Sequence, residues 1–423
     1  MRILVLTQHF APETAPTGRR AQDLAESLAS RGHRVTVIAG RPNHPATLGR
    51  FFCRQAARVE DALEGYRVLR VPVFRSSDAR AWKRLLTYTT FMLAGAWKGV
   101  AQSRPDAIVA ISPLPTGLAA LAVHLWHRAP LIFDLQDIWP DSARAVGVME
   151  EGVSIRLMRL LERLLYRYCA HVVGISEGFR RYLLELGVPS DRISVIENGV
   201  DTGRFSGVRP ESEIARSRWT EGRFVVGYVG NIGLAQGLDT VLDAAHRLGR
   251  EPVSFLLIGE GVDKERLERR ARAAGLTHVR FMRGVPRRRV PPLLAACDAL
   301  LVVLRADPLF RITIPSKVYE YMAAGKPVLC SVGGECADLI LEAGCGLAIP
   351  PSDGEALAAG IEELRRRPEP ARAMGEAGAQ WARSHFECST LMDAYAELLE
   401  AVAERASRSA VETEQVSSEA ALS

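Results

Sequence analysis

The sequence predicts an α/β chain of two doubly wound, Rossmann-like domains. Three observations carry this. Short apolar runs alternate with helical patterns almost throughout, the sequence form of parallel α/β layers. A strand–loop–helix unit opens the chain, and a second one, with a glycine-bearing loop, opens near residue 224. The chain has 423 residues, room for two ordinary domains.

In order, residues 3–6 read as the first strand. Residues 20–31 read as an amphipathic helix, with Ala21, Leu24, Ala25 and Leu28 on one face and Gly32 at its end. Strands follow at 35–39, 67–71, 107–111, 131–133, 172–175 and 193–196. A turn signal, Asn198-Gly199-Val200-Asp201, and a polar stretch at 206–221 mark the boundary. The expected domains are therefore 1–205 and 206–380. In the second, strands are expected at 224–229, 254–258, 279–282, 300–303 and 328–331, with helices at 238–248, 264–274, 290–296 and from 315 to 325. A last helix covers 381–405. Residues 406–423, which lack aromatics, read as a frayed tail.

Hydrophobic residues make up 48% and charged residues 24%, which suits a globular chain with its own core. Seven scattered cysteines form neither Cys-x-x-Cys nor a zinc pattern, so reduced thiols in a cytosolic protein are expected. The opening apolar run is too short for a signal peptide. Net charge is +5, but residues 1–130 hold 18 Lys/Arg against 8 Asp/Glu. Such a half could face an anionic membrane, a phosphorylated substrate or nucleic acid, or be a solvated surface. Residues 85–97 carry no charge and are too few to cross a bilayer. They read as a buried helix or as one lying in a membrane interface, with Trp82, Tyr88 and Trp97 near basic flanks. Residues 113–126 read as a loop and buried helix.

The strongest local signal is Pro315-Ser316-Lys317-Val318-Tyr319-Glu320-Tyr321-Met322-Ala323-Ala324-Gly325. Lys317 and Glu320 stand at i and i+3, on one face. A carboxylate there can accept two hydrogen bonds from a ribose diol, and the ammonium can meet a diphosphate beside the helix start. A plain surface ion pair is the competing reading. Asp134, Asp137 and Asp141 lie at or just beyond a strand's C-terminal end, where open α/β sheets place active sites. Asp137, taken alone, is either an active-site carboxylate or a helix cap. Gly18, taken alone, reads as an ordinary tight turn. Gly259-Glu260-Gly261 could bring backbone near a nucleotide base, or be a plain turn.

These segments, with Phe10-Ala11-Pro12-Glu13, Asp134-Leu135-Gln136-Asp137-Ile138-Trp139-Pro140, Gly230-Asn231-Ile232-Gly233-Leu234-Ala235-Gln236-Gly237 and Ala295-Ala296-Cys297-Asp298, resemble family 4 retaining glycosyltransferases of the GT-B fold. The likeness covers nearly the whole chain and leans toward bacterial O-antigen and exopolysaccharide enzymes of the fucosamine-transferase kind. It implies two facing domains, with the C-terminal helix packing back on the first. It implies a nucleotide-sugar donor, UDP-linked, bound by Gly18, Asn231, Gly233, Gln236, Glu260, Arg305, Lys317 and Glu320. Asp137 and Lys317 would serve catalysis. The implied acceptor is a lipid-linked saccharide at the cytoplasmic face of the inner membrane, which the basic first half would touch.

The chain departs from the family pattern in three places. Relatives carry Arg and Lys where this chain has Asn231 and Gln236, and the first Glu of the Glu-x7-Glu motif falls on Ile312. The two amides supply no charge, so Lys317 and Arg305 would have to neutralise the diphosphate, and Ile312 suggests an N-acetylated or deoxy sugar, which offers fewer hydroxyls to a carboxylate. No Asp-x-Asp is present, so a metal-bound diphosphate clamp is not expected, and with the nucleotide sugar as a substrate no cofactor is expected either. The absent dinucleotide and P-loop fingerprints argue against a dehydrogenase or kinase. Arg287-Arg288-Arg289 lacks interleaved aromatics, which argues against nucleic-acid binding. Two alternatives stand: a UDP-N-acetylhexosamine 2-epimerase on the same fold, and a non-catalytic membrane-peripheral subunit.

Overall fold

A computed structural model describes residues 1–13, 15–42, 60–63, 65–74, 81–145, 152–215 and 219–422. Cys53 and the side chains of Trp82, Lys83 and Arg84 lie outside the described residues. The chain divides into two compact units, one of Met1–Glu197 with Ser389–Ser423, the other of Asn198–Cys388.

The first unit holds strands β1 (Arg2–Thr7), β2 (Arg34–Gly40), β3 (Glu60–Leu63), β4 (Tyr66–Val71), β5 (Ala107–Ile111), β6 (Leu131–Leu135), β7 (His171–Gly174) and β8 (Ile193–Val195). They form one sheet in the order β3-β4-β2-β1-β5-β6-β7-β8. Every pairing is parallel except β3 with β4. β1, β5 and β6 are apolar almost end to end, as strands covered on both faces must be. The order reverses between β1 and β5, so the loops after these strands flank a switch point. β3 had no signal in the sequence, because Glu60-Asp61-Ala62-Leu63 lacks the apolar pattern of a strand. It is an antiparallel edge, where polar residues are tolerated.

The second unit holds β9 (Phe224–Val229), β10 (Val253–Ile258), β11 (Val279–Met282), β12 (Ala299–Val303), β13 (Val328–Ser331) and β14 (Gly346–Ala348). Their order is β11-β10-β9-β12-β13-β14, all parallel. Strand alternation sorts the core into two layers. Val225, Leu256, Leu300 and Val302 join a cluster with Val318, Tyr319 and Met322 on one face. Val226, Phe255, Leu257 and Leu301 join Val241, Leu242 and Ile361 on the other. Both sheets are thus the parallel, helix-flanked kind that the alternating pattern predicts.

The C-terminal region differs from expectation. The helix expected at 381–405 is the junction of two helices, Pro368–His385 and Cys388–Leu422, and the tail expected from 406 onward continues the second of them. The Ala- and Glu-rich composition of this stretch favours helix even without aromatic anchors. This last helix buries Met392, Tyr395, Leu399 and Val402 within the first unit. Its acidic edge meets basic residues of the first domain: Arg31 pairs with Glu397 at 3.1 Å, and His33 with Glu400 at 2.7 Å. Deeper in, the Arg20 guanidinium lies over the Tyr395 ring. Arg20 donates to Asp134 Oδ2 at 2.7 Å and to the carbonyls of Ile196 and Glu197. A fully buried cation is acceptable only with such complete pairing.

Candidate functional site

All the residues predicted to hold a donor except Gly18 lie in the second unit, around the C-terminal end of β9 at the switch point with β12. β9 ends in Val229, and Gly230 follows with φ +153, a conformation few other residues adopt. From here the chain runs against the loop after β10. Gly230 N–H donates to the Ile258 carbonyl, and Ile232 N–H to the Glu260 carbonyl. A Cβ on Gly259 would sit 1.8 Å from the Gly230 carbonyl oxygen, and one on Gly261 would sit 2.1 Å from that of Ile232. The glycine pair around Glu260 is therefore required by backbone packing of one loop on another.

Glu260 itself accepts from the Gly284 N–H at 3.1 Å and lies 3.5 Å from Lys264. In the β9 loop, Gln236 uses its amide oxygen to accept from the Gly233 N–H at 3.1 Å. The Asn231 side chain folds close over Gly233. Arg305, at the end of β12, is exposed, and its backbone N–H donates to the Ala235 carbonyl. The loop thus brings Asn231, Gly233, Gln236 and Arg305 together.

The Lys317–Ala323 helix is shorter than the expected 315–325, and Ser316 makes no side-chain cap. The Lys317–Glu320 ion pair of the competing reading is absent among the described residues. Lys317 instead reaches the β9 end: its Nζ donates to the Tyr228 hydroxyl at 2.7 Å and lies 3.9 Å from the ring centroid. Tyr228 in turn donates to the Asn231 carbonyl. Burial lowers the Lys317 ammonium to about 7, with Glu320 and Cys336 opposing the shift. The same burial raises Tyr228. Glu320 pairs with Arg287 at 3.2 Å. Tyr321, on the buried face of the helix, donates to the Val229 carbonyl and accepts from its N–H, tying the helix to β9. Sequence reasoning missed Tyr228, Tyr321 and Arg287. A single tyrosine in an apolar strand reads as core, and the triple arginine reads as a solvated run.

The remaining predicted residues lie in the first unit. Gly18 is buried in the first turn of the Pro16–Ser30 helix, and a Cβ there would press on the backbone of His9 and Phe10 at 3.0–3.1 Å. It holds the helix start against the loop that follows β1. Asp137 follows β6 and keeps solvent access. Trp139 Nε1 donates to it at 3.1 Å, and Ser142 and the Ile138 backbone also bond it. Surrounding protein nevertheless raises its carboxyl above the ordinary range, outweighing these hydrogen bonds. Asp134 is committed to Arg20 and Gln136, and Asp141 to Arg159. Only Asp137 of the three is left to face a ligand.

Comparison with known proteins adds the following. Residues 17–199 match the model of a glycosyl transferase 4-like domain, and residues 210–381 match that of glycosyl transferases group 1. The chain is 27% identical over 387 residues to WcaI of Escherichia coli K12, a protein assigned to colanic acid biosynthesis as a glycosyl transferase. That alignment covers 87% of this chain and 93% of WcaI. It is 26% identical to a GDP-mannose-dependent alpha-mannosyltransferase of Mycobacterium tuberculosis, covering 84% of this chain and 85% of the relative. In fold it resembles a sucrose-phosphate synthase of Thermosynechococcus elongatus, with TM-score 0.78 and 17% identity over 95% of this chain and 99% of the other. It likewise resembles HepE of Anabaena crystallised with UDP-glucose, with TM-score 0.71 and 20% identity over 95% of this chain and all of the other. With two Rossmann-like units and both family matches in tandem along its length, the chain belongs to the group 1 glycosyltransferases of the GT-B fold, with a glycosyl transferase 4-like N-terminal domain.

Proposed function

We propose that the enzyme transfers a glycosyl group from a UDP-linked sugar to a hydroxyl of a lipid-linked saccharide in cell-surface polysaccharide synthesis. The observation that carries this reading is the grouping of Lys317, Glu320, Arg305 and the 230–237 loop at one switch point. An ammonium, a guanidinium and loop amides there suit a diphosphate, and the Glu320 carboxylate suits a ribose diol. Kinship with WcaI supports a role in polysaccharide synthesis.

In the reaction, the bond between the anomeric carbon and the diphosphate oxygen breaks as the acceptor hydroxyl oxygen bonds that carbon. The developing charge on the diphosphate is stabilised by Lys317 and Arg305. The hydroxyl proton passes to the departing diphosphate or to Asp137, since Asp134 is taken up by Arg20 and Asp141 by Arg159. The configuration is retained, no metal takes part, and the sugar is N-acetylated or deoxygenated. With Ile312 in place of the motif's first Glu, the sugar hydroxyls meet one carboxylate fewer. The protein works at the cytoplasmic face of the inner membrane, its basic first half against anionic lipid.

A panel of UDP- and GDP-sugars assayed with membrane extracts as acceptor tests this. Turnover of a UDP-N-acetyl or UDP-deoxy sugar is expected. A clear preference for UDP-glucose or GDP-mannose would remove the sugar assignment.

A further inference from the structure

The helix Val153–Tyr168 in the first unit has three faces rather than two. Ile155, Glu162, Leu165 and Tyr166 are buried. Roughly opposite them, Val153, Leu157, Leu160, Leu164 and Tyr168 form a row at helical spacing, all exposed, Val153 by 82% and Leu160 by 62%. Roughly a quarter-turn away, Arg156, Arg163 and Arg167 form a second exposed row at i, i+7, i+11. None of these three arginines has an ion-pair partner among the described residues. The helix's only carboxylate, Glu162, points inward and accepts from Tyr166 and Tyr182. A soluble helix ordinarily hides its leucines and exposes its charges. This one exposes both, side by side, over about 24 Å.

The surroundings extend the pattern. Tyr168 lies 6.2 Å from the His124 ring, at the end of the helix Leu114–His127, where Trp126 is 69% exposed. That end meets the end of the helix Ala81–Val100 through His127 and the Gly99 carbonyl, near Trp97, 78% exposed. Three helix ends therefore gather Trp97, Trp126 and Tyr168, the amphipathic aromatics favoured at a lipid–water boundary. No helix among the described residues is long and apolar enough to cross a membrane.

We propose that the exposed face of Val153–Tyr168 is the membrane-docking surface, with its leucine row entering the headgroup boundary of an anionic leaflet and its arginine row binding lipid phosphates. The inference rests on the reading of the chain as a peripheral membrane enzyme and names the surface responsible. Charge selects the occupant: a row of unpaired arginines beside apolar side chains fits anionic lipid better than a second copy, whose identical row would repel it.

Flotation of the full-length protein with phosphatidylcholine vesicles, with and without 30% phosphatidylglycerol (roughly the charge density that recruits basic surfaces), tests it. Binding is expected only to the charged vesicles, and to weaken with salt. Arg156→Glu/Arg163→Glu/Arg167→Glu should lower it by about a hundredfold or more, each basic residue contributing roughly fivefold. Leu160→Asn/Leu164→Asn should lower it also. These side chains are exposed, so melting temperature and nucleotide-sugar binding, measured on the same samples, should be unchanged. Unimpaired flotation of both variants, with loss instead in Leu85→Asn/Leu93→Asn on the Ala81–Val100 helix, would overturn this surface while leaving the peripheral reading intact. Absence of wild-type flotation would remove both. A lipid-free dimer that Leu160→Asn/Leu164→Asn converts to monomer would mark the face as a contact between copies and overturn the proposal.

Discussion

Lys317 carries the most consequential single-residue chemistry. Its ammonium is held to about 7 by burial against Tyr228. An anion beside it would restore the charge, so donor binding and proton uptake are coupled. Below pH 7 the lysine is already charged and affinity is highest. Above pH 7 each unit should cost up to about tenfold in affinity until the pKa of the complex is reached. Calorimetric titration with an intact nucleotide sugar checks this, because the terminal phosphate of a free diphosphate itself titrates near about 6. Lys317→Arg should flatten the profile, since a guanidinium stays charged. Part of this was legible in the sequence: Lys317 and Glu320 were visible as a pair at helical spacing. Their partners were not. Tyr228 is 89 positions from Lys317 and Arg287 is 33 from Glu320, so only the parallel sheet brings them together.

Elements impose the next constraints. The loops after β9 and β10 pack backbone to backbone, leaving no room for side chains at Gly259 and Gly261. Gly259→Ala should force them apart and weaken nucleotide-sugar binding at least tenfold, with a lowered melting temperature. Wild-type values for both would contradict this packing account. In the sequence, Gly-Glu-Gly reads equally as a base-approach loop or a plain turn, because the packing reason for both glycines lies on a different strand. A second element-level prediction concerns Glu162, which ties the Val153–Tyr168 helix to Tyr182 on the Glu177–Glu185 helix. Burial raises its carboxyl from 4.5 to about 7. Between these values the folded chain holds a proton that the unfolded chain has released. Its stabilising effect is therefore complete below pH 4.5 and lost as pH rises through 7. Glu162→Gln should remove that dependence, raising stability at pH 8 relative to the wild type by about 1–3 kcal/mol. Urea titrations at pH 5 and pH 8 measure it.

At the scale of the molecule, the chain leaves its first unit at residue 197 and re-enters it at residue 389. The last helix supplies Tyr395 above the buried Arg20 and apolar surface from Met392, Leu399 and Val402. A chain ending at Cys388 should expose this surface. Its first unit should melt several degrees lower or aggregate, as a calorimetric scan of both proteins would show. The strands of both sheets were largely readable because apolar runs of five or six residues are what doubly buried parallel strands require. The short edge strands β3 and β14 were not, since neither shows such a run, and the final helix was readable only to residue 405, because its continuation lacks aromatic anchors.

The central claim is that the second unit binds a nucleoside diphosphate sugar at the β9 switch point. Isothermal titration of the wild type, Lys317→Ala and Glu320→Ala with UDP- and GDP-sugars at pH 6.5 tests it most directly. The account predicts binding by the wild type and a loss of about 10- to 100-fold in each variant, the weight of one charge-assisted hydrogen bond. Equal affinity in all three proteins would contradict it.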